Sequence, residues 1–307
     1  MKKNLQGRVV LVTGASSGIG AAAALLFAER GSTVYCASRR GLLPGQEPKP
    51  PGGSGPRRPG PAGVLHPLVM DLTDDAAVAA GVAEILRREG RLDVVVHAAG
   101  DGLAGPIEVS AAGDAARQMD VNYFGALRLL GAALPALRKQ GGGRIILVGS
   151  VGGIFSIPFQ SLYSSSKAAL TMLSDGLRLE LKPFNIQSSV ILPGDVKTGF
   201  TAARRNVPTP CPEAYREAMK RAVSVMERDE QGGMGPERVA RAIVKTAAAK
   251  RPRARLVVGG GYRVLVFLNR LLPYAVVEKL ISLTYLNAAP IAPTRLANSR
   301  LNKSVLP

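Results

Sequence analysis

Tyr163 and Lys167 are the two residues of this 307-residue chain whose types and spacing point most directly to chemistry. If the segment from about Ser161 to Lys182 is a helix, side chains four residues apart share one face, so the phenol and the ammonium lie one turn apart. A free phenol titrates near pH ~10, and a neighbouring ammonium lowers that pKa because it favours the phenolate. The pair predicts a proton-transfer device, although the same spacing alone is also found on solvated helix faces.

A glycine-rich turn near the start of the chain predicts a site for a dinucleotide. Arg8 to Thr13 has the apolar run of a buried parallel strand, and it leads into Gly14-Ala-Ser-Ser-Gly18-Ile-Gly20 and an alanine-rich helical stretch. Glycines let backbone amides approach a pyrophosphate, and the helix N-terminus adds its dipole. A merely tight turn is the alternative, but the order of strand, turn and helix favours phosphate binding. The predicted contacts are Gly14, Ser16, Ser17, Gly18, Ile19 and Gly20.

The end of the second predicted strand bears on which dinucleotide fits. Thr33 to Ser38 is followed by Arg39 and Arg40, where an acidic residue would hydrogen-bond the ribose hydroxyls of NAD(H). A guanidinium instead suits a 2′-phosphate through charge-assisted hydrogen bonds. The sequence therefore favours NADP(H) over NAD(H), with solvated loop arginines as the alternative.

Two further predicted strands end in residues placed to meet the same ligand, because ligands bind at the carboxyl ends of strands in open α/β sheets. Val64 to Met70 leads into Asp71-Leu72, where we expect contact with the adenine ring. Leu92 to His97 leads into Ala98-Ala99-Gly100. His97 is interpreted as a structural hydrogen-bonding residue rather than a catalyst.

Two polar side chains fall where a substrate oxygen could be met. Asn122 lies in an otherwise apolar predicted helix from about Ser110 to Lys139, and a buried amide needs a partner. Ser150 falls at the end of a predicted strand from Gly143, and its hydroxyl could donate to a carbonyl oxygen.

Length, composition and net charge limit the classes of protein to which this chain can belong. The length favours one large α/β domain, and 46% hydrophobic residues suffice for a buried core. Two cysteines without metal-type spacing, and a start that lacks the apolar run of a signal peptide, predict a cytoplasmic protein. With two histidines in the chain, neither a metal site nor a serine–histidine hydrolase is expected. The net charge is +18, but aromatic residues are sparse and no nucleic-acid motif is present, so no nucleic-acid partner is predicted.

Three segments depart from a plain α/β pattern. In residues 41–63, 14 of 23 residues are Gly or Pro, which excludes a helix and predicts a flexible loop. Residues 195–235 are interpreted as a substrate lid. In the extension 261–307, charges and Pro273 interrupt the apolar runs, so no transmembrane span is expected. The extension could pack at a subunit interface, cover a lipophilic pocket or lie on an anionic membrane surface.

Together these motifs resemble the short-chain dehydrogenases/reductases over about residues 6 to 260. They occur in the order and spacing of that family: Thr13-Gly14-xxx-Gly18-x-Gly20, Asp71, Ala98-Ala99-Gly100, Asn122, Ser150, Tyr163-xxx-Lys167 and Pro193-Gly194 to Thr198. The resemblance implies a single Rossmann-type, doubly wound, seven-stranded parallel sheet with helices on both faces. It places the catalytic domain in residues 1–260.

The resemblance also implies roles for individual residues. Tyr163 would be the acid or base, Ser150 would orient the substrate oxygen, and Lys167 would bind the nicotinamide ribose and lower the pKa of Tyr163. Asn122 would hold a water in a proton relay. Further cofactor contacts are implied for Pro193, Gly194, Val196 and Thr198. His97 departs from the family pattern, which usually has asparagine at that position.

The activity implied is hydride transfer between NADP(H) and a lipophilic ketone or aldehyde, or its alcohol. The segment from Gly149 to Gly153, with Pro158-Phe159, looks like the branch that holds the 17β-hydroxysteroid dehydrogenases. The resemblance further implies a homodimer or homotetramer that forms through the helices bearing Asn122 and Tyr163. A sensor or scaffold that binds NADP(H) at a membrane surface without turnover is the alternative.

Overall fold

Parallel strands form the centre of the structure, a computed structural model that describes residues 5–45 and 63–286. The strands in chain order are β1 (Val9–Thr13), β2 (Thr33–Ser38), β3 (Val64–Val69), β4 (Val94–His97), β5 (Leu103–Ala104), β6 (Gly143–Val148), β7 (Ile186–Pro193), β8 (Arg205–Asn206) and β9 (Arg255–Val258). Seven of them form one sheet in the order β3-β2-β1-β4-β6-β7-β9, and every pairing in it is parallel. The chain order reverses beside β1, so the carboxyl ends of β1 and β4 flank a crevice suited to ligands.

Helices cover both faces of this sheet. They are α1 (Gly18–Glu29), α2 (Asp75–Glu89), α3 (Ala112–Met119), α4 (Gly125–Lys139), α5 (Ser161–Glu180), α6 (Phe200–Ala203), α7 (Glu213–Gln231), α8 (Pro236–Ala248), α9 (Gly260–Leu268) and α10 (Tyr274–Tyr285). Side chains along β1 alternate between two cores, since Val9 and Leu11 pack with α2, α4 and α5, whereas Val10 and Val12 pack with α1 and α8. The predicted doubly wound sheet with helices on both faces is therefore confirmed.

Most boundaries lie within a residue or two of their predicted positions, because glycines, prolines and caps mark them in the sequence. Asp74 caps α2, since its carboxylate accepts hydrogen bonds from the amides of Ala76 and Ala77. Of the predicted 41–63 loop, residues 46–62 lie outside the described residues, so the prediction of a flexible loop stays untested there.

The helix predicted from Ser110 to Lys139 is not continuous. A π-helical turn, Asp120–Phe124, separates α3 from α4 and contains Asn122. An i→i+5 turn inserts one extra residue, which changes the face to which the following side chains belong. The apolar periodicity of the sequence does not reveal that extra residue, which places the Asn122 side chain in the interior.

The predicted lid and residues 261–286 of the C-terminal extension have regular structure, and residues 287–307 lie outside the described residues. Within the lid, α6, β8 and α7 follow one another, and β8 pairs in parallel with β5 just after the carboxyl end of β4. In the extension, α9 and α10 follow the last strand of the sheet, and α10 packs against α7. Within residues 5–45 and 63–286, no helix combines the length and the apolar character needed to cross a membrane.

Candidate active site

A cavity of about 870 Å³ opens at the carboxyl ends of the central strands. Each residue that the sequence predicts to touch the cofactor lies on its wall, and so does Ser150. The predicted residues brought together there are Gly14, Ser16, Ser17, Gly18, Ile19, Gly20, Arg39, Arg40, Asp71, Leu72, Ala98, Ala99, Gly100, Tyr163, Lys167, Pro193, Gly194, Val196 and Thr198. Asn122 lies behind this wall.

The turn between β1 and α1 has the backbone of a phosphate cradle. Gly14 and Gly18 have φ of 66° and 54°, in the left-handed region that favours glycine. A Cβ on Gly14 would lie 2.8 Å from the Ala99 backbone, and one on Gly20 would lie 2.3 Å from the Gly14 carbonyl oxygen. Ser17 begins α1 without a capping side-chain hydrogen bond, so the first amides of this 12-residue helix can bind an anion.

Basic residues and one acidic residue line the end of the cavity that lies beside the carboxyl ends of β2 and β3. Arg39 and Arg40 are exposed there, directly after β2. The carboxylate of Asp71 accepts hydrogen bonds from the Thr73 amide (3.0 Å) and hydroxyl (2.8 Å). These bonds, with a smaller contribution from the Arg39 charge, lower the pKa of Asp71.

At the other end, Tyr163 and Lys167 lie one turn apart on α5, as predicted. The Lys167 Nζ is 5.8 Å from the centre of the Tyr163 ring and donates a hydrogen bond to the Val148 carbonyl oxygen at 3.1 Å. Lys167 is 5% exposed, and burial lowers its pKa to about 8, against an opposing contribution from the Asp101 charge. Lys167 is therefore an ammonium at neutral pH whose charge is poorly solvated.

The pKa of Tyr163 is raised to about 12, opposite in direction to the tuning that the Tyr–Lys spacing predicts. Burial of the hydroxyl has the largest effect, and the charges of Glu230 and Asp195 also raise the pKa. The hydrogen bond with Ser150, which is the second-largest effect, and the charge of Arg204 lower the pKa, but burial outweighs them. The hydroxyl is consequently a proton donor at neutral pH.

Ser150 is held beside Tyr163 by a close contact between two chain segments. The backbone of Ser150 is extended, and Ser150 caps a short 3₁₀ turn, Val151–Gly153. Its Oγ accepts a hydrogen bond from the Gly152 amide at 3.0 Å. A Cβ on Gly153 would lie 2.7 Å from the Lys167 carbonyl carbon. The absence of a side chain at Gly153 therefore lets this turn pack directly on the α5 backbone.

Asn122 connects the π-helical turn to both neighbouring elements. Its Nδ2 donates to the Asp101 carbonyl oxygen (3.1 Å) and to the Ser166 Oγ (3.0 Å), and its Oδ1 accepts from the Asp101 amide (2.9 Å). The side chain is fully buried. It thereby fixes the chain after β4 against α5, next to Lys167.

His97 is fully buried at the end of β4 and does not line the cavity. Its Nδ1 lies 3.2 Å from the Thr13 Oγ1, which also accepts hydrogen bonds from the Ala98 and Ala99 amides. Burial, together with the charge of Lys167, lowers the pKa of His97 to about 3, so the ring is neutral. This placement fits the predicted structural role.

Several residues that the sequence did not single out also line the cavity: Asp101, Ile157, Asp195, Phe200, Arg205, Glu230, Tyr262 and Tyr285. The Phe200 ring lies 5.6 Å from that of Tyr163. The Tyr262 hydroxyl donates to the carboxylate of Asp195. Most of them belong to the lid and the extension, for which no short motif exists. Asp101, which directly follows Gly100, and Ile157, which precedes α5, are the two exceptions.

Replacing Asn122 with Ala should lower the free energy of unfolding by roughly 2–3 kcal/mol, because buried hydrogen-bonding groups of Asp101 and Ser166 would lose their partner. Ser166→Ala removes one of these partners and should cost about 1 kcal/mol. Urea unfolding followed by circular dichroism measures both. Equal losses in the two variants would contradict the arrangement described above.

Known proteins resemble this chain in both sequence and fold. The family described as short chain dehydrogenase matches residues 8–208. A 3-ketodihydrosphingosine reductase of Bacteroides thetaiotaomicron is 35% identical over 85% of this chain and 91% of its own length. Human 17-beta-hydroxysteroid dehydrogenase type 1 is 38% identical over 62% of this chain and 58% of its own. A short-chain dehydrogenase structure from Streptomyces avermitilis, 28% identical, superposes with a TM-score of 0.73 over 90% of this chain and 96% of its own. This chain belongs to the short-chain dehydrogenases/reductases, oxidoreductases that act on CH–OH and C=O groups.

Proposed function

We propose that this protein uses NADP(H) to interconvert a lipophilic ketone or aldehyde and its alcohol, with Tyr163 as the acid or base. The observation that carries the proposal is one cavity with the glycine turn at one end and Ser150, Tyr163 and Lys167 at the other. A dinucleotide bound along it would have its phosphates at α1 and its nicotinamide near Tyr163.

The residues of the wall fit such a cofactor. The Gly14–Gly20 turn leaves room for a pyrophosphate where side chains would collide, and Arg39 and Arg40 provide guanidinium groups at the adenosine end. Asp71, Leu72 and Ala98 to Gly100 would contact the adenosine half of the cofactor. Pro193 to Thr198 and Lys167 would contact its nicotinamide half.

In the reductive direction, NADPH would, when bound, provide the hydride that the carbonyl carbon accepts. Ser150 holds the carbonyl oxygen, and Tyr163 donates its proton to that oxygen as negative charge develops, which gives the alcohol. A hydroxyl whose pKa is about 12 keeps its proton at neutral pH and suits this role. Lys167 would bind the ribose of the bound cofactor, and Asn122 would order the path by which the tyrosine is reprotonated from water.

A lipophilic substrate is supported by the surface around Tyr163. Ile157, Phe200 and Ala203 present apolar side chains there, and the rings of Tyr262 and Tyr285 bring the C-terminal extension to the same cavity. We propose that residues 195–235 close over the substrate and that the extension covers the pocket. The identity to a 3-ketodihydrosphingosine reductase over 85% of the chain makes that ketone the first to test, and a steroid ketone the second.

We also propose a cytoplasmic homodimer or homotetramer that forms through α4 and α5. Exposed apolar side chains on and beside these helices support a subunit contact. A surface helix whose outer face meets only solvent typically carries polar side chains on that face. The exposed apolar side chains are Phe124, Leu127, Met172 and Leu179.

Tyr163→Phe should reduce ketone-dependent NADPH oxidation about 10²–10⁴-fold, because the ring remains and only the transferable proton is lost. Tyr215→Phe is the matched control, since Tyr215 lies on α7 outside the cavity. The measurement is the decrease in NADPH absorbance with 3-ketodihydrosphingosine and a steroid ketone. An unchanged rate in Tyr163→Phe would contradict the mechanism, and NADPH binding without turnover on any ketone would favour the sensor or scaffold.

Arg39→Gln should raise the Kd for NADPH about 10- to 100-fold and leave the Kd for NADH nearly unchanged, because the lost charge-assisted hydrogen bond involves only the 2′-phosphate. Fluorescence titration of both cofactors measures the effect. Arg251→Gln, an exposed arginine outside the cavity, controls for net charge. An equal loss for both cofactors would mean that Arg39 does not meet the 2′-phosphate.

The rate of ketone reduction should fall as the pH rises above about 8, because Lys167 loses its proton there while Tyr163 keeps its own. The Asp101 carboxylate raises the pKa of Lys167, so Asp101→Asn should move this fall to lower pH. Arg205→Gln breaks the Arg205–Asp101 ion pair but keeps the carboxylate, so it should cause no downward shift. Profiles of kcat/KM against pH compare the three proteins, and identical profiles would contradict the coupling.

A further inference from the structure

The last two described helices carry an unusually apolar outer surface. Among the described residues, 18 large hydrophobic side chains are exposed, and nine of these come from α9, α10 and their connection. Such a concentration of apolar groups marks a contact surface. We call it the tail face: Val264, Leu265, Phe267, Leu268, Leu271, Tyr274, Val276, Leu280 and Leu283.

The side chains of the tail face follow helical spacing. On α10, Val276, Leu280 and Leu283 lie at i, i+4 and i+7, which forms one stripe. The opposite sides of the two helices are packed, since Val266 and Val277 are buried. Both helices therefore carry apolar side chains on their solvent-facing side as well as on the side that packs against the protein.

The tail face lies beside the mouth of the catalytic cavity. Tyr262 on α9 and Tyr285 on α10 line that cavity, and each belongs to the same helix as part of the tail face. The Arg221 Nη1 on α7 donates to the Leu286 carbonyl oxygen at 2.8 Å, which attaches the end of α10 to the body of the protein. Whatever covers the tail face is consequently close to the entrance for substrate.

Positive charge surrounds this apolar surface. Arg263, Arg270 and Lys279 are exposed on it, against one acidic residue, Glu278. In sequence, residues 287–307 add Arg295, Arg300 and Lys303 and no acidic residue, so residues 260–307 carry six basic and one acidic side chain, a net charge of +5.

We propose that the tail face docks on an anionic lipid surface, with the apolar side chains among the acyl chains and the arginines and lysines at the headgroups. Charge complementarity favours a lipid surface over two other partners for the tail face. A second copy docked through the same face would bring like charges together. Residues 287–307 would likewise add positive charge to a positive surface. Lipid docking does not depend on the proposed reaction, although delivery of a lipid-dissolved ketone into the cavity rests on it.

Vesicle sedimentation of the full chain, without cofactor or substrate, tests the docking. Binding is expected to vesicles of equal parts phosphatidylcholine and phosphatidylglycerol, weaker binding to phosphatidylcholine alone, and a decrease with added salt. Because no ketone is involved, failure here is separate from failure of the proposed reaction. Absence of binding to the anionic vesicles would overturn the proposal.

Variants locate the binding surface. The double variant Phe267→Ser with Leu271→Ser should lower the partition coefficient about tenfold or more, and the triple variant of Arg263, Arg270 and Lys279 to Gln should do the same. Val69→Ser is the control, since Val69 is 68% exposed on β3, at the edge of the sheet opposite β9, and should bind as the parent does. An equal loss in the control, or unaltered binding in both multiple variants, would overturn the assignment.

Two measurements test whether a second copy of the chain or residues 287–307, rather than lipid, cover the tail face. Sedimentation velocity gives the oligomeric mass of the Phe267 and Leu271 double variant, and a smaller mass than that of the parent would mean that a second copy covers the tail face. A chain that ends at Leu286 should bind anionic vesicles more weakly, because three basic residues are removed. Tighter binding of that shorter chain would mean that residues 287–307 cover the tail face, and either result would overturn lipid docking.

Discussion

Burial of the Lys167 ammonium is the constraint on which the rest of the site depends. A buried cation is costly unless it is hydrogen-bonded and close to an opposite charge. Val148 supplies a carbonyl oxygen from the end of β6, and Asp101 supplies negative charge from the chain after β4. Both partners lie at the carboxyl ends of neighbouring strands, so the lysine is held at the position that doubly wound sheets offer to ligands.

The packing around that lysine requires special backbone at three places. Gly153 lets the turn that bears Ser150 contact the α5 backbone, and Gly100 leaves room for both the Lys167 Nζ and the Asn122 Oδ1. The π-helical turn places Asn122 where its amide can bond to Asp101 and Ser166. These contacts fix Ser150, Lys167 and Asn122 relative to one another. The acid catalysis that we propose requires such fixed positions.

The sequence was sufficient to predict the sheet, most element boundaries and the glycine turn between β1 and α1, but not the close backbone contact at Gly153. Gly14 and Gly20 could be identified because no other residue fits their close approaches, and Tyr163 and Lys167 because helical spacing fixes their distance. The raised pKa of Tyr163 could not be predicted, because it depends on burial and on Glu230 and Asp195, which are distant in sequence. The π-helical turn was missed because the apolar periodicity of residues 110–139 does not reveal the extra residue that the turn inserts.

The two ends of the cavity are built from different kinds of sequence, and this limits what motifs can reveal. The cofactor end is formed by strand ends and a glycine turn, whose geometry is the same for any dinucleotide. The end that we propose for the substrate is lined from α6, α7, α9 and α10, which lie outside the strands of the sheet and can vary without disturbing it. In the proposed function, substrate choice would therefore depend on the shape of the cavity wall around Phe200, Tyr262 and Tyr285 rather than on the residues proposed to be catalytic. Since the outer surface of α9 and α10 is also apolar, the proposed lipid docking would let the same segment determine both which substrate is accepted and whether it is taken from a membrane.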